Sequence, residues 1–388
     1  DQYDFDPGQF FVRRTTRRKY IRLDAPHQAP IIAPLPAKIK DRHKAGPGLL
    51  ATLITGKYCD HLPLYRQQGI FQSRHGVYLP RQTMSLWLDD AADWFQIIYG
   101  RVRNGVFDGG YVQMDETHVQ FLDPGNGKSI KGYLWGCNRP GGDVFYDWSS
   151  GGRGMDRLDE LVPENYAGKT QSDGYSAYDG HASRNPGRIV HLYCWAHVRR
   201  KFFDAAKERC RKAAIVVYLI DRLYDVERDL RAAKVGPALR EARRASSSMM
   251  VSNRIFALLE RWKTKGFMLP SSATSQAIEY TLKRREGLEM CLTDGMVEID
   301  NNLMENSLRP IALGRKNWLF FGSREAGQKS AVLFTIIENC RRRGIDPFTY
   351  LRDVFENVGI ITNQNAGDWT PAGWAARNGL ASAARKSS

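Results

Sequence analysis

The sequence predicts an α/β protein in which a mixed sheet is interrupted by an all-helical block and preceded by a small helical domain and a basic extended arm. Three observations carry this expectation. The hydrophobic period is helical from Gly46 to Tyr99, switches at Tyr111 to the two-residue alternation of strands, and turns helical again over residues 196–298. The chain has 388 residues, 42% of them hydrophobic, which is enough for two or three cores and too much for one. Its 57 lysines and arginines exceed its 42 acidic residues by 15, so a polyanion is the expected partner. No apolar run approaches the roughly 18 residues needed to span a bilayer, and no signal-peptide pattern opens the chain. The six cysteines lie far apart, as in a chain from a reducing cytoplasm rather than a disulfide scaffold.

Residues 1–45 carry the run Arg13-Arg14-Thr15-Thr16-Arg17-Arg18-Lys19 and then Pro26, Pro30, Pro34 and Pro36. Proline removes backbone donors and favours extended chain, so this segment reads as an arm, either solvated or in contact with nucleic acid. Over 46–100, Leu49, Leu50, Leu53 and Ile54 share a helical face, and Leu64, Ile70 and Phe71 follow on a second helix. After His75-Gly76, Pro80 opens a third helix whose first turn exposes Arg81, Gln82 and Ser85. This order suits a helix-turn-helix-like DNA-binding domain, and equally an ordinary three-helix bundle.

Strands are expected at 111–122, 130–137 and 144–148, with a turn at Asp123-Pro124-Gly125-Asn126-Gly127. A helix within 156–161, a fourth strand at 169–172 and a fifth at 189–194 complete a sheet of ribonuclease-H-type order. The expected catalytic core is therefore 108–204 with 299–357, interrupted by a helical insertion at 205–298 and followed by a flexible tail at 358–388.

Asp115 interrupts a strand, where aspartate is disfavoured, and shares its face with Gln113 and Thr117 rather than with Val112 and Met114. Glu116 points the other way. Asp173 ends the fourth strand and reads locally as an Asp-Gly turn. Glu305 reads locally either as the partner of Asn302 in a capping box or as a third carboxylate projecting onto the sheet. Arg309, one turn on, lies on the same helical face. In a sheet of this order the first and fourth strands are neighbours, so Asp115 and Asp173 repel unless a divalent cation lies between them. Hard oxygen donors suit Mg²⁺ or Mn²⁺, and three carboxylates suit phosphoryl transfer assisted by two ions. Arg199, Arg200 and Lys201 open a helix after the fifth strand, and Arg315, Lys316 and Trp318 offer two cations and an indole. Both groups are candidate DNA contacts. Cys194 and His197 have ligand-like spacing, but no second pair follows, so a zinc site is not expected.

Met114-Asp115-Glu116-Thr117, Ser172-Asp173-Gly174-Tyr175-Ser176-Ala177-Tyr178, Cys194-Trp195-Ala196-His197-Val198-Arg199-Arg200-Lys201-Phe202 and Asp300-Asn301-Asn302-Leu303-Met304-Glu305 together resemble the insertion-sequence-66 family of transposases. Further matches are Lys57 to Arg66, Arg309-Pro310, Gly314 to Phe320 and Asp346 to Leu351, so the resemblance runs over about residues 10–357 in the same order. It implies an aspartate-aspartate-glutamate recombinase with a ribonuclease-H-like core and a helical insertion before its glutamate. Asp115, Asp173 and Glu305 take the catalytic and metal-binding positions, separated by 58 and 132 residues. The implied reaction cleaves DNA at element ends and joins the freed 3′-hydroxyls to target DNA, with two Mg²⁺ or Mn²⁺ ions. The implied partners are the terminal inverted repeats, target DNA, further copies of the chain and element-encoded accessory proteins, in a bacterial, nucleoid-associated setting. Members of the family carry a cysteine-bearing, zinc-finger-like segment before the arm. Here no cysteine precedes Cys59, and the first residue is Asp, so residues 1–45 read as the remnant of that segment. The rival readings are an inactive DNA-binding remnant and a nuclease without strand transfer.

Overall fold

A computed structural model describes residues 8–380 apart from 124, 126, 267 and 268, and its contacts divide into two compact units. Pro124 and Asn126 of the expected turn, and residues 381–388 of the expected tail, lie outside the described residues.

The first unit holds residues up to Tyr99, Lys316–Leu319, and the chain from Val332 onward. Strands β1 (Lys19–Tyr20) and β2 (Ile31–Ile32) form a short, exposed antiparallel pair within the arm. Helix α1 (Pro47–Tyr58) begins with proline in its first turn and buries Leu50, Leu53 and Ile54. Helix α2 (Leu64–His75) stops where Gly76 takes a left-handed conformation, φ 66°. Helix α3 (Arg81–Phe107) starts here and buries Met84, Leu88, Ala91, Phe95 and Ile98 at helical spacing, while Arg81, Gln82 and Ser85 are exposed.

Two expectations about the carboxy-terminal region are corrected. Residues 332–357, assigned by pattern to the sheet's half of the chain, belong to this unit. Helix α14 (Pro347–Glu356) packs along α1 and buries Tyr350, Leu351, Val354 and Phe355. The tail is also ordered in part: a 3₁₀ turn (Ala366–Trp369) leads into α15 (Pro371–Arg377). Trp369 and Trp374 are buried, Trp374 Nε1 donates to Asp353 Oδ2 at 2.8 Å, and the Thr370 hydroxyl caps α15. Two indoles anchor a segment whose small polar composition suggests fraying.

The second unit is built on a mixed sheet. Strands β3 (Tyr111–Leu122), β4 (Ser129–Asn138) and β5 (Val144–Ser149) form an antiparallel meander. Strand β6 (Gly168–Ser172) runs parallel to β3, and β7 (Ile189–Tyr193) runs parallel to β6, giving the order β5-β4-β3-β6-β7. The two-residue β8 (Phe320–Phe321) pairs in parallel with Gln120 and Phe121 of β3. Helices α4 (Met155–Leu161) and α5 (Ser176–Arg184) connect β5, β6 and β7. Helix α6 (Trp195–Lys207) leaves β7 and leads into α7 (Arg211–Ala232) and α8 (Pro237–Arg243). A π-helical turn (Arg244–Ser248) joins α8 to α9 (Met249–Thr264), and α10 (Ala273–Lys283) and α11 (Arg285–Thr293) follow. The chain returns to the sheet through α12 (Asn302–Trp318), and α13 (Arg324–Arg342) follows β8.

The helical block is not a separate body. Leu192, Trp195, Val198 and Phe202 share one apolar core with Ile220, Leu223, Phe256, Leu259, Ile278 and Leu288. Trp195 Nε1 reaches Leu288 O at 3.0 Å. Among the described residues, no helix is long and apolar enough to cross a membrane.

Candidate active site

Parity along β3 sorts the side chains as expected, but neither face is washed by solvent at its start. Gln113, on the Asp115 side, is fully buried: it donates to Asp300 O at 2.7 Å and to Gln171 Oε1 at 2.9 Å, and accepts from Asn138 at 2.8 Å. The segment before α12 is thereby fastened across the strand. Asn301 repeats the attachment one residue on, donating from its amide side chain to Met114 O at 2.9 Å and from its backbone to Cys194 Sγ at 3.2 Å. Trp195 N also donates to Ile299 O, at 3.2 Å. Residues 299–301 thus tie β3, the start of α6 and the start of α12 together beside Asp115.

This register sets aside one of the two local readings of Glu305. Asn301 O accepts from Met304 N and Glu305 N, which makes Asn301 the N-cap and leaves no Asn302–Glu305 capping box. Asn302 gives its side-chain amide to Asp300 Oδ2 at 2.8 Å instead. Glu305 projects from the first turn of α12, with Oε1 buried and without a hydrogen-bond partner among the described residues.

Asp173 and Glu305 both lie within electrostatic reach of Asp115. Burial holds the Asp115 carboxyl well above the usual carboxylate range, and the negative charges of Glu116, Glu305 and Asp173 push in the same direction. One Asp115 oxygen accepts Glu116 N–H at 2.9 Å, and one Asp173 oxygen accepts Tyr175 N–H at 2.8 Å. Glu116 belongs to the opposite face, where it accepts from Tyr178 Oη at 2.8 Å and pairs with Arg153 at 3.3 Å. Burial raises its carboxyl against those two partners.

Two glycines leave room for the side chains packed around these carboxylates. Gly136 lies opposite Asp115 on β4, and a Cβ there would collide with the Met304 side chain of α12. Gly174 follows Asp173, and a Cβ there would lie 2.5 Å from Arg284 Nε and 2.6 Å from Tyr280 Oη. Gly136→Val is therefore expected to lift the start of α12 and to cost about 1–3 kcal/mol through overpacking. Urea unfolding of both proteins checks it, and an unchanged midpoint would show that α12 has room to spare.

The remaining sequence candidates separate by what they touch. Arg199 is engaged with Asp221, Nε to Oδ1 at 2.6 Å, and Lys201 lies over the Tyr280 ring at 4.5 Å. Arg200 turns toward the carboxylates, 3.7 Å from Glu305 Oε2, and stays largely exposed. It also borders a cleft of about 340 Å³ lined by Arg199, Phe203, Asp221, Tyr224 and Asn302. Arg315 fastens α12 to β3 by donating to Thr117 Oγ1 at 3.1 Å and His118 O at 2.6 Å. Arg309 and Lys316 are exposed, and Trp318 is half-buried.

Several participants have no strong sequence signal. His197 Nε2 lies 3.8 Å from Glu305 Oε1, and burial holds the imidazole below its ordinary value against the pull of Glu305 and Asp173. Its signals are the three-residue offset from Cys194 and its place within the 194–202 motif, neither of which assigns it a role. Behind Asp173, Ser172 Oγ lies 2.8 Å from His191 Nε2, and His191 Nδ1 lies 2.8 Å from Asp179 Oδ1. The connectivity is that of a hydrolase triad, but Ser172 is fully buried and donates to Asp173 O at 2.9 Å. The relay braces the end of β6 and offers no accessible nucleophile.

Comparison with known proteins gives a consistent picture. A model of the family described as "Transposase IS66 family" matches residues 42–329. Three uncharacterized proteins of Sinorhizobium fredii (strain NBRC 101917 / NGR234) are similar over most of the chain. The protein y4qI is 34% identical over 92% of this chain and 67% of its own length. The proteins y4jD and y4hP are 32% and 30% identical, over 92% and 91% of this chain and 70% and 66% of their own lengths.

Proposed function

The chain belongs to the IS66 family of transposases, and from that premise we propose that it cuts DNA at the ends of its element and joins the freed 3′-hydroxyls to target DNA, with Asp115, Asp173 and Glu305 as catalytic carboxylates. One observation carries this reading: the Asp115 carboxyl is buried beside Asp173 and Glu305, whose charges all oppose its ionisation. The strand order β5-β4-β3-β6-β7, with an antiparallel meander and two parallel additions, supports reading the core as ribonuclease-H-like.

The donor set fits divalent magnesium or manganese. All three side chains offer hard oxygen atoms, and Glu305 Oε1 is buried without a hydrogen-bond partner among the described residues. Such ions, when bound, acidify an attacking water or hydroxyl and stabilise the leaving oxygen. The chain's own residues prepare the site for them. The backbone N–H groups of Glu116 and Tyr175 each occupy one carboxylate oxygen and orient the other. Asn301 and Gln113 fix the approach of α12, so Glu305 meets the strand in one register. Arg200, largely exposed and 3.7 Å from Glu305 Oε2, is the residue to which we assign the holding of a DNA phosphate. The exposed Arg81, Gln82 and Ser85 at the start of α3, in a helix-turn-helix-like role, would read DNA, with Lys316 and Trp318 as further contacts.

Incubation of purified protein with labelled element ends, target plasmid and Mn²⁺ tests the proposal. Nicking with joined product is the expected result; nicking alone would mark a nuclease, and no cleavage would mark a binding remnant. Arg200→Ala is expected to lower cleavage on the order of 100-fold while weakening duplex binding only a few-fold, because misplacing a reactive phosphate by about 1 Å has that scale of effect. Arg199→Ala, which breaks an ion pair with Asp221, should change cleavage far less. Equal losses in cleavage and binding for Arg200→Ala would move that side chain to a peripheral DNA track.

A further inference from the structure

Cys194 is the N-cap of α6, and His197 lies in the first turn of the same helix. Glu305 arrives from α12, more than a hundred residues later in the chain. One donor atom from each, thiol sulfur, imidazole nitrogen and carboxylate oxygen, lies within 4.8 Å of the other two. The 3.8 Å between His197 Nε2 and Glu305 Oε1 is too long for a hydrogen bond, which ends near 3.2 Å. It is close to the roughly 3.4 Å that separates two donors each about 2.1 Å from one tetrahedral ion. Glu305 Oε1 and His197 Nδ1 are both buried without a hydrogen-bond partner among the described residues. Cys194 Sγ is held from behind by Asn301 N–H at 3.2 Å, the kind of support that orients a metal-bound sulfur.

The donors are chemically unlike those of the carboxylate trio. Sulfur and imidazole select ions such as Zn²⁺ over Mg²⁺, and three protein ligands leave a fourth position for water. We propose that Cys194, His197 and Glu305 form a site for one transition-metal ion of the Zn²⁺ class, and that its occupation withdraws Glu305 from Asp115 and Asp173. The ion-binding half stands on these three side chains alone. The inhibitory half rests on the catalytic reading of Glu305. Sequence spacing around Cys194 shows only two ligands because the third is contributed by a distant helix.

Cobalt(II) serves as the probe, because thiolate-bound tetrahedral Co²⁺ has a near-ultraviolet charge-transfer band and intense visible bands. Metal-free protein titrated with Co²⁺ in excess Mg²⁺ is expected to develop both at one equivalent, and Zn²⁺ should abolish them. Cys194→Ala should remove the charge-transfer band, and His197→Ala should weaken Co²⁺ binding at least about tenfold. Cys210→Ala, which alters a partly exposed thiol elsewhere, should leave the spectrum unchanged. Circular dichroism of each variant excludes unfolding as the cause, and Cys194→Ser, His197→Gln or Cys210→Ser replaces the corresponding alanine variant if that one fails to fold. A weak octahedral spectrum in the parent protein, or loss of the bands in Cys210→Ala, overturns the site. If the bands appear as expected but one equivalent of Zn²⁺ leaves DNA cleavage intact, the ion site stands and the inhibitory half falls.

Discussion

Asp115→Asn is expected to abolish DNA cleavage and, in metal-free protein at neutral pH, to raise the melting temperature. Its carboxyl titrates above the usual range in the folded chain because it is buried and faces the charges of Glu116, Glu305 and Asp173. The unfolded chain releases that proton at about pH 4, whereas the folded chain holds it to higher pH. The unfolded state therefore binds fewer protons across this window, and stability falls as pH rises through it. Asparagine keeps the shape and cannot ionise, so its advantage should be near zero below about pH 4 and grow toward neutrality. Asp173→Asn and Glu305→Gln should also abolish cleavage, and all three variants should keep duplex binding, which rests on cations rather than carboxylates. Activity assays, melts from about pH 4 upward and filter binding check the set. Cleavage by Glu305→Gln at the parental rate would remove Glu305 from the chemistry, and pH-independent melting differences for Asp115→Asn would mean a hydrated carboxyl.

Arg244→Met is expected to cause a larger loss of stability than Gly136→Val. Arg244 is fully buried in the π-helical turn, where two guanidinium nitrogens grip Glu227 at 2.7 and 2.8 Å. The third nitrogen donates to the carbonyls of Cys291, Asp294 and Val297 at 3.0, 2.7 and 2.8 Å. Methionine would leave a buried carboxylate unpaired and three carbonyls without their donor, a change worth about 3–5 kcal/mol. Those carbonyls belong to α11 and to the segment between it and α12, so cleavage should fall with stability. Restoring an uncharged partner, as in Glu227→Met with Arg244→Met, should recover much of the loss. A urea double-mutant cycle measures the coupling, and a loss below about 1 kcal/mol would show that Glu227 finds another partner.

The sheet was largely legible in the sequence because strand alternation and turn residues are local signals. Expected strands at 130–137, 144–148, 169–172 and 189–194 differ from the observed β4 to β7 by a residue at one end or at both. Motif order singles out Asp115, Asp173 and Glu305, and the charges of Asp173 and Glu305 act on the Asp115 carboxyl. Burial was not legible. Alternation reports which face Gln113 takes, but its partners Gln171 and Asp300 come from other segments, so a polar pattern conceals a buried network. The capping-box reading of Glu305 fails by one residue of helix register, because Asn301 rather than Asn302 is the N-cap. The pairing of α14 with α1 joins segments nearly three hundred residues apart, and no local period records it. At the carboxy end, two tryptophans outweigh a composition that resembles a frayed tail.

The core shared between β7, α6 and the helical block has a consequence for dynamics. Leu192, Trp195 and Phe202 cannot be uncovered without also exposing Phe256, Ile278 and Leu288. Opening of the strand that leads toward the carboxylates and opening of helices far from them are then one cooperative event rather than two. Amides of α9 and of β7 should exchange with solvent through a common opening, with matching protection and matching response to denaturant. The same coupling makes a remote helix a reporter: an ion or a DNA strand that steadies α6 and α12 should slow exchange in α9, although it touches nothing there.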